Sequence, residues 1–297
     1  MKLVTEYQVL PVELADLGEG PVWDDQLNRL LWVDIVNGKV LAWYPETSQT
    51  ETYSFTGQIG ALALTPQSNH VVAATDTGFA LLDLETGERK DIGDPEADLH
   101  DNRFNDGKCD SRGRFWAGSL NEEGRNDAAL YMLDRSGTIS KKIEGVSCSN
   151  GLAWSADDRT FYYIDTPTQQ VVAYDFNVAT AKIANRRVVI NVLSSDGWPD
   201  GMTIDGEGML WVALWGGWKV VRWNPHTGKK LQEIRLPVSQ VTSCTFGGRN
   251  LQDLYITSAR KGLTTSELVL EPHAGALFVA KGVGVQGVPP ARTIFGL

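Results

Sequence analysis

The stretch SNGLAWSADDRTFYYIDTPTQQVVAYDF, residues 149–176, contains most of what decides the fold of this 297-residue chain. It opens with a short apolar segment behind a small residue and passes through the polar turn SADDR. It then continues into segments rich in aromatic and β-branched residues. Alternation with a period of two residues is typical of β-strands, and turn residues between such segments are typical of hairpins. The stretch therefore predicts three consecutive antiparallel strands.

The same pattern recurs on either side of this stretch. Matching segments are EGPVWDDQLNRLLWVDIVNGKVLAWYPET from Glu19, IGALALTPQSNHVVAATDTGFALLDLETG from Ile59, NDGKCDSRGRFWAGSL from Asn105, PDGMTIDGEGMLWVALWGGWKVVRWNPHTG from Pro199 and TSCTFGGRNLQDLYITSAR from Thr242. A small residue anchors every unit, and these anchors are Gly20, Gly60, Gly107, Gly151, Gly201 and Ser243. Their spacing of 40 to 50 residues is the period of propeller blades.

Six such units predict an all-β fold, a six-bladed β-propeller with four-stranded antiparallel blades. We expect residues 1–297 to form this propeller as a single domain. No segment carries a sustained apolar stripe at helical spacing, so almost no helix is expected. The N-terminal segment MKLVTEYQVLPVEL is expected to supply the outer strand that completes the last blade.

Composition and charge exclude several classes of function. The net charge of −10 and the pI near 4.9 would repel nucleic acid and anionic membranes, so we expect neither as a partner. Cys109, Cys148 and Cys244 are far apart and lack metal-type spacing, and we interpret them as free core thiols. With no secretory signal pattern and no stretch approaching ~18 apolar residues, the sequence predicts a cytoplasmic protein.

Residues at equivalent repeat positions should converge on the channel, because the inner strand of each blade runs along the propeller axis. The residues just before the anchors are Glu19, Ile59, Asp106, Asn150, Asp200 and Thr242. Several carboxylates buried on one axis would repel each other unless a cation compensates them. Oxygen ligands of this kind suit hard cations such as Ca²⁺, Mg²⁺ or Mn²⁺. The alternative is that these residues are only turn formers, since NG and DG dipeptides commonly mark turns.

Several motifs, taken in order, resemble the gluconolactonase, regucalcin and senescence marker protein family. They are LGEGPVW, RFNDGKCDSRGRFWAGS, SNGLAWS with YYIDT, and PDGMTID with LWVALWGG. The resemblance extends from Leu17 through GALFVA, essentially the whole chain, and looks closest to bacterial sugar lactonases. It implies one divalent metal ion, with Ca, Mg, Mn, Zn and Fe as candidates.

The resemblance also implies roles for particular residues. The implied metal ligands are Glu19, Asn150 and Asp200. Arg103 and Glu123 are implied as contacts to sugar hydroxyls, and Asn105 as a further ligand or substrate contact. The repeat alignment instead selects Asp106 where the resemblance favours Asn105. A bulge at the start of that strand would decide between them.

The resulting prediction is a metal-dependent hydrolase that opens an aldono-1,5- or 1,4-lactone to the aldonic acid in carbohydrate catabolism. The cation would polarise the lactone carbonyl and hold the attacking water, and Asp200 would act as the general base. The expected partner is a small-molecule sugar lactone, and we expect a monomer or weak homodimer. Two alternatives remain: a metal-dependent phosphotriesterase-like propeller hydrolase, and a non-catalytic calcium-binding or scaffold propeller.

Overall fold

Two short strands at the start of the chain, β1 (Lys2–Val4) and β2 (Gln8–Val9), pair with strands from the far end of the sequence. The structure is a computed structural model and describes residues 2–4 and 6–295. Because an early strand closes a late sheet, the ring of blades is fastened by backbone hydrogen bonds.

The other strands form sheets that each run from an inner strand on the axis to an outer strand at the rim. Blade 1 contains β3 (Gly18–Asp24), β4 (Arg29–Asp34), β5 (Lys39–Tyr44) and β6 (Gln49–Ser54). Blade 2 contains β7 (Ile59–Leu64), β8 (His70–Thr75), β9 (Gly78–Asp83) and β10 (Arg89–Gly93). Blade 3 contains β11 (Asn102–Cys109), β12 (Phe115–Asn121), β13 (Ala128–Leu133) and β14 (Ile139–Val146).

The second half of the chain repeats this arrangement. Blade 4 contains β15 (Ser149–Trp154), β16 (Thr160–Asp165), β17 (Gln170–Asn177) and β18 (Lys182–Asn191). Blade 5 contains β19 (Trp198–Ile204), β20 (Leu210–Trp215), β21 (Lys219–Asn224) and β22 (Lys229–Arg235). Blade 6 contains β23 (Val241–Gly247), β24 (Asp253–Ser258), β25 (Phe278–Ala280) and the N-terminal β2.

The predicted six-bladed β-propeller with four-stranded antiparallel blades is therefore confirmed, as is the N-terminal closure of the last blade. Blade 5 differs in one respect, because β1 adds a fifth strand to it, parallel to β22. In the described residues the α-helical content is limited to α1 (Thr265–Leu270), a short helix with a capping box at Thr264. Within the same residues, no helix is long and apolar enough to cross a membrane.

Large aromatic residues fill the spaces between blades. Trp116 and Trp211 are fully buried, and the indole Nε1 of each donates to a turn carboxylate, Asp110 and Asp205 respectively, at 2.9 Å. These two aspartates occupy the hairpin between the first and second strands of blades 3 and 5. A buried indole needs an acceptor for its N–H group, so the turn and the core stabilise each other.

The repeated anchor residue is small because neighbouring inner strands approach closely at the axis. A Cβ added to Gly201 would lie 2.8 Å from Cα of Ser243 in the next blade. One added to Gly60 would lie 2.7 Å from the carbonyl carbon of Phe104. The close contact explains why the sequence repeat is anchored by glycine, with Ser243 as the exception that packs against Gly201.

This packing predicts that Gly201→Ala lowers the free energy of unfolding by about 1–3 kcal/mol, since backbone atoms cannot move aside easily. Gly93→Ala is the matched control, because its Cβ would meet only the flexible tip of Ile139 at 3.1 Å. Urea unfolding of both variants measures the difference. Equal stability of the two variants would contradict the axial-contact explanation.

Candidate functional site

The six inner strands all begin at the same end of the channel, which we call the upper mouth. Each inner strand contacts the inner strands of the two adjacent blades, so residues near the strand starts form a ring. Glu19, Asn105, Asn150 and Asp200 all lie in this ring and are between 3% and 7% exposed. The structure thus brings together the residues implied as ligands, from blades 1, 3, 4 and 5.

A β-bulge interrupts each inner strand at this level, and the bulge in blade 3 decides which side chain turns toward its neighbour. In β11, Phe104 pairs with Ser119 and Asp106 pairs with Gly118, leaving Asn105 between them without a partner in β12. A bulge re-aims the side chain of the extra residue. Asn105 is therefore free to point along the ring toward blade 4.

Asn105 forms the contacts that join blades 3 and 4. Its Nδ2 donates to Oδ1 of Asn150 at 3.1 Å and to the carbonyl oxygen of Ser149 at 2.9 Å. Its Oδ1 accepts from Nη1 of Arg103 at 3.0 Å. Asn105 thus links a buried guanidinium to the implied ligand Asn150, whereas Asp106 makes no such contact.

A threonine orients the amide of Asn150. Thr166, just after β16, accepts from Nδ2 of Asn150 at 2.8 Å and donates its own hydroxyl to the carbonyl oxygen of Pro199 at 2.8 Å. Because the amide nitrogen is engaged by Thr166, Oδ1 of Asn150 is the atom presented to the ring. The same threonine also ties blade 4 to the residue before Asp200.

The two acidic residues of the ring are perturbed by burial and by each other. Burial raises the pKa of Glu19 to about 8, and the nearby charge of Asp106 adds to this effect. Burial likewise raises the pKa of Asp200 well above its usual range, followed by the charges of Glu19 and Asp106. The carboxyl groups of Glu19 and Asp200 lie within hydrogen-bond reach of each other. Without a cation, the fold therefore favours a shared proton.

The donor set fits a divalent cation. Two buried carboxyls and one oriented carboxamide oxygen, from three blades, present oxygen ligands of the type that hard cations prefer. In the described part of the chain, no three His, Cys, Asp or Glu side chains converge closely enough to hold a metal. The Glu19, Asn150 and Asp200 set contains only two acidic residues, so a carboxamide would have to complete it.

A cavity of about 360 Å³ opens on the upper face beside Arg103. His100 and Glu122 line it with Arg103. Nε of Arg103 lies 3.2 Å from Oε1 of Glu122, whereas Glu123, the residue implied by the resemblance, pairs with Arg125 at 2.7 Å. Glu123 would have to leave Arg125 to reach a substrate near Arg103.

Below the ring, the channel continues as a cavity of about 210 Å³ toward the opposite face. Asp106 and Lys108 line it, and the C-terminal stretch 288–291 closes its lower end. Nζ of Lys108 donates to the carbonyl oxygen of Met202 at 2.6 Å. The two ends of the channel therefore differ, with the polar ring above and a largely apolar cavity below.

The three cysteines are free, as the sequence predicts, but one of them is not a core residue. All three cysteines are free, and Cys109 and Cys244 are buried. Cys148 is only partly buried and lies 3.7 Å from Nδ2 of Asn150, at the edge of the ring. Burial raises its pKa to about 12, so it stays a neutral thiol near the site.

Comparison with known proteins shows the family of this chain. The family model described as the SMP-30/Gluconolactonase/LRE-like region matches residues 17–260. The chain belongs to this family. Regucalcin of Gallus gallus is 41% identical over 280 residues, 92% of this chain and 93% of the relative.

Solved structures similar to this chain have the same architecture. The calcium-binding protein regucalcin of Agrobacterium tumefaciens superposes with a TM-score of 0.93 at 25% identity, covering 98% of this chain and 99% of that one. A luciferin-regenerating enzyme superposes with a TM-score of 0.91 at 28% identity, over 97% and 99% of the two chains. The family thus places this protein among the lactonase-type propellers and supports the expected resemblance.

Sequence reasoning missed three residues that shape the site. Thr166 orients Asn150, Glu122 contacts Arg103, and Lys108 enters the channel below the ring. Thr166 and Lys108 had a signal, because YYIDT and RFNDGKCDSRGRFWAGS were among the motifs of the family resemblance. The contact of Glu122 depends on loop geometry.

Proposed function

We propose that this protein hydrolyses an aldono-1,5- or 1,4-lactone to the aldonic acid, with one divalent cation held by Glu19, Asn150 and Asp200. The observation that carries the proposal is the meeting of two buried carboxyls and one oriented carboxamide oxygen beside Arg103. Buried like charges are costly, and their retention next to an arginine that lines a cavity indicates a function rather than a stabilising role. Family membership supports the reaction class.

A bound dication would supply Lewis-acid polarisation of the lactone carbonyl and a lowered pKa for a nearby water. The chain's own residues would do the rest. Asp200 accepts a proton from the attacking water, whose oxygen bonds to the carbonyl carbon. The ring C–O bond then breaks, and the ring oxygen leaves as a hydroxyl after taking the proton back from Asp200.

Arg103 and Asn105 would orient the substrate. Arg103 is held by Asn105, by the carbonyl oxygen of Phe104 and by Glu122, so its guanidinium has little freedom. A fixed donor costs little reorganisation when it binds a hydroxyl or a developing negative charge. The proposal therefore assigns Arg103 and Asn105 to substrate contact.

The two alternative functions, a calcium-binding scaffold and a phosphotriesterase-like hydrolase, require different residues around the ligand ring. A scaffold propeller that only binds calcium has no need of a buried Arg103–Asn105 pair beside the ligands, so the pair favours an enzyme. A phosphotriesterase-like hydrolase could use the same ligands. Substrate preference, not the ligand set, separates it from a lactonase.

The deciding experiment is a pH-stat assay of metal-free protein on a panel of aldonolactones and one aryl phosphotriester. Each substrate is tested with chelator and then with Ca²⁺, Mg²⁺, Mn²⁺, Zn²⁺ or Fe²⁺ added back. We expect lactone opening that disappears with chelator and returns with metal. Inactivity of metal-loaded protein on every substrate would favour the scaffold, and preference for the phosphotriester would favour the other hydrolase.

A matched pair of variants tests the substrate contact implied for Glu123. If Glu123 binds a sugar hydroxyl, Glu123→Gln should raise KM about tenfold, because a hydrogen bond to a charged group is lost. Glu122→Gln should then change KM by less than about threefold. Steady-state kinetics on the best lactone gives both values, and the reverse pattern would assign the contact to Glu122.

A further inference from the structure

Lys108 places an ammonium group inside the channel below the ligand ring. The residue belongs to β11 in blade 3, but its Nζ hydrogen-bonds the carbonyl oxygen of Met202 in blade 5 at 2.6 Å. Blade 4 lies between these two blades, so the side chain spans the channel rather than packing within its own sheet. A lysine side chain that enters a buried channel loses its hydration, and this cost must be compensated by favourable interactions in the channel.

Asp106 shares this channel with Lys108. The two residues are two positions apart on β11, after its bulge, and both line the cavity below the ring. Residues two apart on a strand point to the same face. Oδ1 of Asp106 accepts from the backbone N–H of Gly107 at 2.7 Å, which holds the carboxyl in place.

The charges at the axis balance only when Lys108 is included. When ionised, Glu19, Asp106 and Asp200 carry three negative charges, and a divalent cation supplies two positive ones. After burial, the charge of Asp106 is a further cause of the raised pKa of Glu19 and of Asp200. Burial lowers the pKa of Lys108, and the charges of Asp106 and Glu19 oppose that effect. The charge of Arg103 also acts on Glu19, but Glu122 pairs with Arg103 at 3.2 Å, so the two together add no net charge.

We propose that Lys108 is a positioning residue that serves as the counter-charge of Asp106 and so sets the affinity of the ring for its cation. The inference rests on the metal binding included in the proposed function, but not on lactone hydrolysis. Asp106 attracts a cation to the ring and Lys108 repels it. Removing either partner should therefore shift affinity in opposite directions, while removing both should leave it nearly unchanged.

Three variants test this: Lys108→Met, Asp106→Asn and the double variant. Calorimetric titration of metal-stripped protein with Ca²⁺ or Mn²⁺ alone, at pH 8 and fixed ionic strength, measures affinity. We expect Lys108→Met to bind about tenfold more tightly and Asp106→Asn about tenfold more weakly. The double variant should bind within about threefold of wild type. Lys90→Met controls for net charge, because Lys90 is exposed on an outer strand.

If Lys108 only stabilised the fold and did not compensate the charge of Asp106, the titrations would give a different result. Loss of its contact with Met202 would loosen the ring, so Lys108→Met would bind metal more weakly or equally. Either outcome, with circular dichroism showing an intact fold, overturns the proposal. Failure of lactone hydrolysis alone would leave the affinity pattern unchanged.

Thermal unfolding of metal-free protein is a second test. It remains informative if the wild-type protein binds no metal. In metal-free protein at pH 8, Lys108→Met should lower Tm, because Asp106 loses its compensating charge. Adding Asp106→Asn should recover at least about half of that loss. If the double variant had as low a Tm as Lys108→Met, the proposal would be overturned even when the wild-type protein binds no metal.

Discussion

Asp200→Asn is expected to lower kcat/KM for lactone hydrolysis by at least about 10³-fold without unfolding the protein. The substitution keeps the shape of the side chain but removes both the negative charge for a cation and the base for a water proton. Asp200 is 7% exposed and carries a raised pKa caused chiefly by burial. A neutral amide there also relieves repulsion from Glu19, so the metal-free variant should have an unchanged or higher Tm.

The combination of lost activity and retained stability is the diagnostic result. Asp91→Asn serves as the control, since Asp91 is largely exposed and pairs with Arg89 far from the ring. Lactone kinetics and thermal unfolding of both variants, with and without metal, give the comparison. Wild-type turnover by Asp200→Asn would remove Asp200 from the mechanism.

The metal-free protein should lose stability as pH rises from about 4.5 to about 8. Glu19 has an ordinary pKa of 4.5 and a folded pKa of about 8, so the folded state binds this proton more tightly than the unfolded state. Its contribution is present in full below 4.5 and is lost as pH rises through 8. The pKa values of Asp106 and Asp200 are also raised and change stability in the same direction. For Glu19 alone, the shift from 4.5 to about 8 corresponds to on the order of 5 kcal/mol.

Burial also raises the pKa of Glu96 and Asp165, which change stability in the same direction as the ring carboxyls, so the contribution of Glu19 is isolated by its own variant. Carboxyls with a lowered pKa fall outside this window. Asp196, whose pKa is lowered by Lys219 and Lys230 despite partial burial, gains stability as pH rises, but completes that change by about its ordinary pKa of 3.8. A saturating divalent cation should remove or reverse the slope, because it replaces the protons on the ring carboxyls. Urea unfolding at pH 5, 6, 7 and 8, with chelator or metal, measures the slopes.

Glu19→Gln provides the matched control for the pH experiment. It should flatten a large part of the slope in the metal-free protein, since the amide does not titrate. A wild-type slope that is flat or rising between pH 5 and 8 in chelator would show that the ring carboxyls are not held protonated by burial.

The fold was predictable because its signals are local and repeated. Strand alternation and turn residues such as SADDR indicate hairpins, and anchors such as Gly201 recur at a blade-like period. The structure adds the cause, since neighbouring inner strands leave no room for a Cβ at Gly201. The parallel pairing of β1 with blade 5 had no such signal, because one short strand carries no period of its own.

The candidate site was predictable only to the level of the ring. Repeat position alone indicated that Glu19, Asn150 and Asp200 share the axis, but it selected Asp106 rather than Asn105 in blade 3. The bulge in β11 turns Asn105 toward Asn150 and leaves Asp106 with Lys108 in the channel. A one-residue bulge reverses the direction in which the following side chains point. Neither an asparagine nor an aspartate at this position indicates that a bulge is present.

By itself, the sequence determined the number of blades, the strand alternation and which residues begin each inner strand, because these follow from short-range periodicity. Only the tertiary structure decided which neighbours meet across the channel: Asn105 with Asn150, Arg103 with Glu122, and Lys108 with Met202. It also decided the perturbed protonation of Glu19. These properties depend on contacts between residues roughly 20 to 90 or more positions apart in the sequence and on the exclusion of water from the ring. A local sequence pattern contains no information about either.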